Sequence, residues 1–219
     1  MEKVMKKSFC IIGLGKFGFS LAQTLIDEGN QVMVIDTDEE KISALADSAT
    51  NAVIGDATNE KVLRSAGITN YDCVAVCVSG NLNDNVLLTI MLKEMGIKKV
   101  ISRAHNESHK KVLERIGADV IVVPEQDMGE KLGYMLSREN VTEFIEFSGY
   151  KIVEMLVPKE WVGKTLIELD VRRKYGVNIV AVVSADDKKP NVSPSPMRPF
   201  VEGDKISIIG TDKDIEKLI

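Results

Sequence analysis

The stretch Ile11-Ile12-Gly13-Leu14-Gly15-Lys16-Phe17-Gly18 begins as an apolar run and continues into the pattern G-x-G-x-x-G. In this pattern the first glycine permits a tight turn, the second lets phosphate approach the backbone, and the third lets a helix pack closely on the sheet. The helix that follows presents unpaired amides and a partial positive charge to an anion. The stretch therefore predicts a strand, a turn and a helix that bind pyrophosphate.

An acidic residue, Asp36, ends the next apolar run 18 residues after Gly18. At this position a carboxylate accepts hydrogen bonds from ribose hydroxyls and disfavours a 2′-phosphate, so NADP is the least favoured nucleotide. Lys16 lies inside the loop, where its ammonium either reaches a terminal phosphate or stays in solvent on the first helical turn. The alternative for the whole motif is a tight turn that binds nothing.

The first half of the chain alternates short apolar runs with helical patterns, which is typical of a parallel sheet covered by helices. Six strands and five helices of this kind describe a doubly wound, Rossmann-like domain. The predicted strands are Phe9–Leu14, Gln31–Ile35, Ala52–Ile54, Cys73–Val78, Val100–Ser102 and Val120–Val123. The predicted helices cover 17–28, 38–48, 59–66, 82–95 and 107–116.

The pattern changes after Pro124, which ends the sixth strand. We predict a nucleotide-binding domain over 1–124, a connecting helix over 125–140, and a small α+β domain over 141–219. In the last domain, Tyr150–Val157, Val177–Ser184 and Lys205–Ile209 are predicted strands. Helices are predicted over Thr165–Tyr175 and Asp212–Leu218.

Further polar residues follow the other predicted strands at the same edge of the sheet, where open α/β sheets bind ligands. Asp56 and Thr58, in the segment Gly55-Asp56-Ala57-Thr58, either contact the base or ribose or cap the next helix. Ser79 and Arg103 follow the fourth and fifth strands.

Composition excludes several classes of function. The net charge of −5 argues against a nucleic-acid partner. The sequence has no apolar run near the roughly 18 residues of a membrane span, and its charged start does not resemble a signal peptide. With three cysteines, Cys10, Cys73 and Cys77, these features predict a cytoplasmic protein.

Residues for catalysis or metal binding are scarce. His105 and His109 are the only histidines, and their i, i+4 spacing lacks the glutamate of a zinc protease, so surface residues are the simpler interpretation. Cys73 and Cys77 lie four residues apart in an apolar strand, so both point to the same face and are expected to be buried, unreactive thiols. A hydride-transferring enzyme needs an acid–base residue beside the nicotinamide. The nucleotide is therefore expected to be sensed, not consumed.

The motif set resembles RCK (KTN) domains, which regulate potassium channels and transporters, and in particular the KtrA/TrkA-type subunits of potassium uptake systems. The matching residues are Gly13–Gly18, Asp36, Gly55–Thr58, Arg103-Ala104, Glu125, Val162–Leu166 and Leu169–Arg172.

The resemblance implies a regulatory subunit that binds ATP and ADP, or NAD(H) in some relatives. By resemblance, the phosphate-binding residues are Gly13, Gly15, Lys16, Phe17 and Gly18, with Asp36 at the ribose and Asp56, Ala57, Thr58, Ser79 and Arg103 completing the site. Lys16 stands where the family often has arginine, which weakens the expected contact with the terminal phosphate. Glu125 resembles an acid that binds Mg²⁺ or Ca²⁺ between two nucleotides, or is a helix first-turn acid.

The resemblance also implies partners and a second ligand. Homodimers are expected to assemble into an octameric ring beneath a membrane-embedded potassium-translocating subunit of the KtrB/TrkH type. Cyclic di-AMP is a candidate ligand of the C-terminal domain, at positions Arg172, Asn178, Ile179 and Pro194. The alternative there is that Ile179 belongs to the core and Arg172 is a solvated helix residue. An NAD(H) redox sensor and an NAD-dependent oxidoreductase remain alternative functions.

Overall fold

The computed structural model describes residues 6–78, 80–187 and 189–219. Its internal contacts divide the chain into two compact units between Asp127 and Met128. The fold class predicted from the sequence is confirmed: a doubly wound parallel sheet precedes a smaller unit with an antiparallel sheet.

The N-terminal unit is built on a six-stranded parallel sheet in the order β3-β2-β1-β4-β5-β6. Its strands are β1 Ser8–Ile12, β2 Gln31–Asp36, β3 Asn51–Ile54, β4 Cys73–Val76, β5 Val100–Arg103 and β6 Val120–Val122. The helices between them are α1 Lys16–Asp27, α2 Glu39–Ala46, α3 Glu60–Ser65, α4 Leu82–Glu94 and α5 Glu107–Arg115. The strand order reverses between β1 and β4, which is where such sheets open a crevice at their carboxyl edge.

Both faces of this sheet are buried in its central strands β2, β1 and β4. Alternate residues of β1 show the division: Ile11 packs in one cluster with α1 and α2, whereas Cys10 and Ile12 pack in another with α3 and α4. Strands covered on both faces read as continuous apolar runs, which explains why the sequence located them to within about two residues.

The helix α6, Pro124–Leu136, begins in the N-terminal unit and ends in the C-terminal unit. The C-terminal unit holds an antiparallel sheet in the order β7-β8-β10-β9, around a core that includes the fully buried Trp161. Its elements are β7 Val141–Phe147, β8 Tyr150–Leu156, α7 Leu166–Leu169, α8 Val171–Tyr175, β9 Asn178–Val183, β10 Lys205–Gly210 and α9 Asp212–Ile215.

Two features of the C-terminal unit differ from the sequence-based expectation. Strand β7 was not predicted, because a register shift between Val141 and Glu143 breaks the alternation of apolar and polar residues. The single helix predicted over 165–175 is two short helices, because Asp170 adopts a left-handed conformation with φ of 44°. Aspartate tolerates this conformation better than most residues.

Candidate functional site

The turn after β1 accepts only glycine at two positions. Gly13 has φ of +92°, and a Cβ there would lie 2.8 Å from the backbone nitrogen of Val78. A Cβ on Gly18 would lie 2.0 Å from the carbonyl oxygen of Gly13 and 3.0 Å from the Cβ of Cys77. The end of β1, the first turn of α1 and the end of β4 are therefore packed backbone against backbone, as the sequence motif predicts.

Asp36 faces this turn from the end of β2. The Leu14 amide donates to Asp36 Oδ2 at 2.5 Å, and the Asp38 amide donates to Oδ1 at 2.9 Å. The side chain is 11% exposed, so the carboxylate is held in a fixed orientation at the rim of the sheet. An ionised carboxylate has about four lone-pair sites, so these two bonds leave acceptor capacity for ribose hydroxyls.

The N-terminus of α1 differs from those of the next four helices. Its N-cap is Gly15, which provides no side-chain cap, and its first turn contains no acidic residue. Helices α2–α5 each have an N-cap side chain that accepts a backbone amide and an acid in the first turn. The first amides of α1 have no intrahelical acceptor, so they and the helix dipole remain available to an anion.

A cleft of about 400 Å³ lies along the carboxyl edge of the sheet. Of the predicted site residues, it is lined by Gly13, Gly15, Asp36, Asp56, Ala57 and Thr58. Its size and its mixture of backbone, carboxylate and apolar lining suit a nucleotide.

Asp56 and Thr58 form a local turn at the rim. Asp56 Oδ1 accepts hydrogen bonds from the Thr58 amide at 2.9 Å and from Thr58 Oγ1 at 2.7 Å. The bond from the Thr58 hydroxyl is the main cause of the lowered pKa of Asp56. The cap of α3 is Asn59, whose side chain accepts from the Lys61 amide, so Asp56 does not cap that helix. Ala57 is buried in the core.

The other predicted residues of the glycine loop are placed differently. Lys16 is exposed on the first turn of α1 and does not line the cleft. Phe17 is half-buried and packs against the core cluster beneath α1 and α2. Ser79 lies outside the described residues, between Val78 and Gly80, which both line the cleft.

Lys41 was missed by sequence reasoning but lines the cleft beside Asp36. Its Nζ lies 3.2 Å from Asp38 Oδ2 and 3.8 Å from Asp36 Oδ1. The hydrogen bond with Asp38 raises the pKa of Lys41 and lowers that of Asp38. The sequence signal was the i, i+3 spacing of Asp38 and Lys41 on the first helical turn after Asp36.

Arg103 and Glu125 form an ion pair at the far end of the same sheet edge. Arg103 Nη2 donates to Glu125 Oε1, and the arginine side chain is 11% exposed. The Glu125 side chain is 63% exposed. A hydrogen bond from its own backbone amide, together with the charge of Arg103, lowers the pKa of Glu125. The structure thus brings together two predicted site residues that the sequence did not pair.

His109 differs from the sequence-based expectation of a surface residue, whereas Cys73 and Cys77 are buried as predicted. His109 is buried, its Nδ1 accepts from the His105 amide at 3.4 Å, and burial together with His105 lowers its pKa. Cys10, Cys73 and Cys77 are buried free thiols, and burial raises the pKa of Cys77 to about 12. Within residues 6–78, 80–187 and 189–219, no three His, Cys, Asp or Glu side chains form a metal-binding group.

The residues predicted to bind cyclic di-AMP lie in the C-terminal unit. Arg172 is exposed on α8, and Asn178 is exposed at the first position of β9. Ile179 packs partly against the core, and Pro194 is half-buried in the loop between β9 and β10. The core contact of Ile179 agrees with the simpler of its two interpretations.

Two curated proteins are similar over nearly the whole chain. Ktr system potassium uptake protein C of Bacillus subtilis is 41% identical over 214 residues, covering 97% of this chain and 96% of its own. Ktr system potassium uptake protein A of the same organism is 42% identical over 218 residues, covering 99% and 97%.

Two solved structures with this fold are described as bound to a nucleotide. The GsuK channel bound to NAD superposes with a TM-score of 0.54 at 26% identity, over 100% of this chain. GsuK bound to ADP superposes with a TM-score of 0.52 at 27% identity, over 59% of this chain. This chain spans 39% and 34% of the length of those two chains.

Two domain families match the chain in sequence. The TrkA-N domain matches residues 9–124, and the TrkA-C domain matches residues 152–219. Together with the two Bacillus relatives, these matches show that the chain belongs to the TrkA-N/TrkA-C family that includes the Ktr potassium uptake proteins A and C.

Proposed function

We propose that this chain is a nucleotide-sensing regulatory subunit of a potassium uptake system, and that it gates a membrane-embedded potassium-translocating subunit in response to ATP and ADP. The observation that carries the proposal is the pairing of an uncapped α1 N-terminus with the fixed Asp36 carboxylate across one cleft. Similarity to the Ktr potassium uptake proteins supplies the transport context.

The proposed site divides the nucleotide between two regions. Phosphates lie at the first amides of α1, and the ribose hydroxyls donate to Asp36. ATP and ADP share their adenosine, so only contacts at the terminal phosphate discriminate them and bias the equilibrium between two conformations. Lys16, exposed beside the first turn, is the residue of the glycine loop that has the charge for this contact.

We propose a role in sensing, without catalysis, and the charged residues of the cleft support it. Among the described residues, the charged side chains that line it are Asp36, Lys41, Asp56 and Asp84. Asp36 and Asp56 accept hydrogen bonds from backbone amides, and Lys41 is paired with Asp38, so these three have structural partners in place. An NAD(H) redox sensor is the second candidate, because a structural relative is described as bound to NAD and a helix N-terminus suits a pyrophosphate.

Self-association is proposed from the surface of α6. No residue of this helix is buried, and Met128, Leu132 and Leu136 expose apolar side chains at i, i+4 and i+8. Ile145 and Phe147 of β7 are also exposed in the same unit. Apolar stripes of this kind are typical of protein interfaces. We propose that they join two copies, which then assemble into a ring at the inner face of the membrane against the translocating subunit.

Two further ligands belong to the proposal. A divalent cation, Mg²⁺ or Ca²⁺, would bind at Glu125 with nucleotide phosphates as its other ligands, since hard cations prefer oxygen donors. Cyclic di-AMP would bind in the C-terminal unit near Arg172, whose guanidinium suits a phosphate, and Asn178.

The proposed function is tested by calorimetric titration of the purified chain with ATP, ADP, NAD, NADH and cyclic di-AMP, each in EDTA and in Mg²⁺. The proposal expects ATP and ADP to bind at one site per chain and to compete with each other. Binding of NADH in preference to ATP would favour the redox sensor. Absence of binding by every nucleotide would overturn both.

A further inference from the structure

Arg103 is a largely buried cation, with a side chain that is 11% exposed. Its Nη2 donates to Glu125, whereas its Nε is buried and has no hydrogen-bond partner in the described parts of the chain. Its backbone is fixed, because Asn85 Nδ2 donates to the Arg103 carbonyl oxygen at 3.0 Å. A buried guanidinium requires a counter-charge, and here an exposed carboxylate supplies it.

Strand register places Arg103 close to the glycine loop. Ile12 pairs with Val76, and Val76 pairs with Ser102, so the next residues along the edge are Gly13, Cys77 and Arg103. With strands about 4.8 Å apart, the Cα atoms of Gly13 and Arg103 are separated by roughly 10 Å. An arginine side chain spans most of that distance.

Arg103 also lies on the face of the sheet that α1 covers. Ile101 packs in the cluster formed with α1, and side chains alternate along a strand, so Arg103 lies on the same face. Cys77 is in that cluster too, and a Cβ on Gly18 would touch it. Burial raises the pKa of Cys77, and the charge of Arg103 opposes that rise, so the guanidinium acts electrostatically on a residue that packs behind the loop.

We propose that Glu125 is the counter-anion of Arg103 in the nucleotide-free chain, and that a phosphate group of the bound nucleotide displaces it. This inference rests on the proposed function, because it requires a phosphate at the N-terminus of α1. The carboxylate and the phosphate are alternative acceptors for the same N–H groups.

In this exchange Glu125 competes with the nucleotide for Arg103, and its ion pair is lost when the nucleotide binds. Glu125 belongs to the first turn of α6, the helix that continues past Asp127 into the second unit. Loss of the ion pair on nucleotide binding changes the charge environment of that first turn. Because Glu125 is largely exposed, its ion pair with Arg103 is weak, and its competition with the phosphate is modest.

The test is calorimetric titration of the full chain with ATP in EDTA, which removes divalent cations. Glu125→Gln removes the competing charge and keeps the size of the side chain, while Asp127→Asn is a matched control that removes one acid from the same helical turn. We expect Glu125→Gln to bind ATP about two- to fivefold more tightly than Asp127→Asn. The same comparison in the Arg103→Lys and Arg103→Met backgrounds forms a double-mutant cycle. The difference in affinity between Glu125→Gln and Asp127→Asn should disappear in the Arg103→Met background.

The outcomes separate the two proposals. If ATP binds the wild-type chain but Glu125→Gln binds it no more tightly than Asp127→Asn, the exchange is wrong and the proposed function stands. An equal gain in the Arg103→Met background also contradicts the exchange, because the gain then does not act through Arg103. If ATP does not bind the wild-type chain, both proposals fail.

Discussion

At the scale of single residues, Gly18 stabilises the turn between β1 and α1 by its lack of a Cβ. Its missing Cβ allows the first turn of α1 to contact the Gly13 carbonyl. We expect Gly18→Ala to lower the free energy of unfolding by about 2 kcal/mol, because the contact is with backbone, which cannot move aside easily. Urea denaturation measures the change.

The matched control is Gly133→Ala in α6, where a Cβ would meet nothing within 4 Å. That substitution should raise the free energy of unfolding by about 0.5–1 kcal/mol, because alanine favours helix over glycine. Equal effects of the two substitutions would show that the close approach at Gly18 has no energetic weight.

In the C-terminal unit, the buried side chain of Asp204 contributes to stability. It is fully buried, and it accepts hydrogen bonds from Arg198 and from the amides of Val201 and Ala185. Burial opposes its ionisation, but these hydrogen bonds outweigh burial and lower its pKa. We expect Asp204→Asn to cost about 2–3 kcal/mol at pH 7, with exposed Glu202→Gln as the control.

The sign of the pH dependence follows from the lowered pKa of Asp204. Its contribution to stability is complete above the unfolded-state pKa of about 3.9 and is lost as the pH falls through the folded-state value. The difference in unfolding free energy between wild type and Asp204→Asn should therefore shrink in acid. A difference that is constant from pH 7 to pH 2 would contradict this role.

At the scale of elements, the helices and strands with a clear hydrophobic pattern are those that the sequence predicts. The six strands of the parallel sheet are apolar on both faces and were located from the sequence, as were the glycine turn and Asp36. Strand β7 escaped because its register shift disrupts the alternation, and the Arg103–Glu125 pair escaped because it joins residues 22 apart in the sequence. Contacts of that kind depend on strand order, which local pattern does not encode.

The exposed stripe of α6 leads to a prediction about assembly. We expect Leu136→Glu to weaken self-association at least tenfold, because it places a charge on the 80% exposed apolar side chain of the stripe. Light scattering after size-exclusion chromatography measures the oligomer. Val192→Glu is the control, since Val192 is an exposed apolar residue in the loop between β9 and β10. Unchanged oligomers for Leu136→Glu would place the interface elsewhere.

At the scale of the whole molecule, the chain joins a sheet edge suited to nucleotides to a second unit through one continuous helix. None of the helices in the described residues is long and apolar enough to cross a membrane. Under the proposed function, a membrane-embedded partner carries the potassium, and the cleft is where the nucleotide signal enters. Nucleotide binding in that cleft through Asp36 is the first requirement of this function.

The most direct measurement is calorimetric titration of wild type, Asp36→Ala and Glu39→Ala with ATP, after circular dichroism has shown that all three are folded. We predict that Asp36→Ala loses affinity about 100-fold, because two charge-assisted hydrogen bonds to the ribose disappear. Glu39→Ala, an exposed acid on the neighbouring helix, should bind as wild type does. An Asp36→Ala variant that is folded and binds ATP with unchanged affinity would contradict the account.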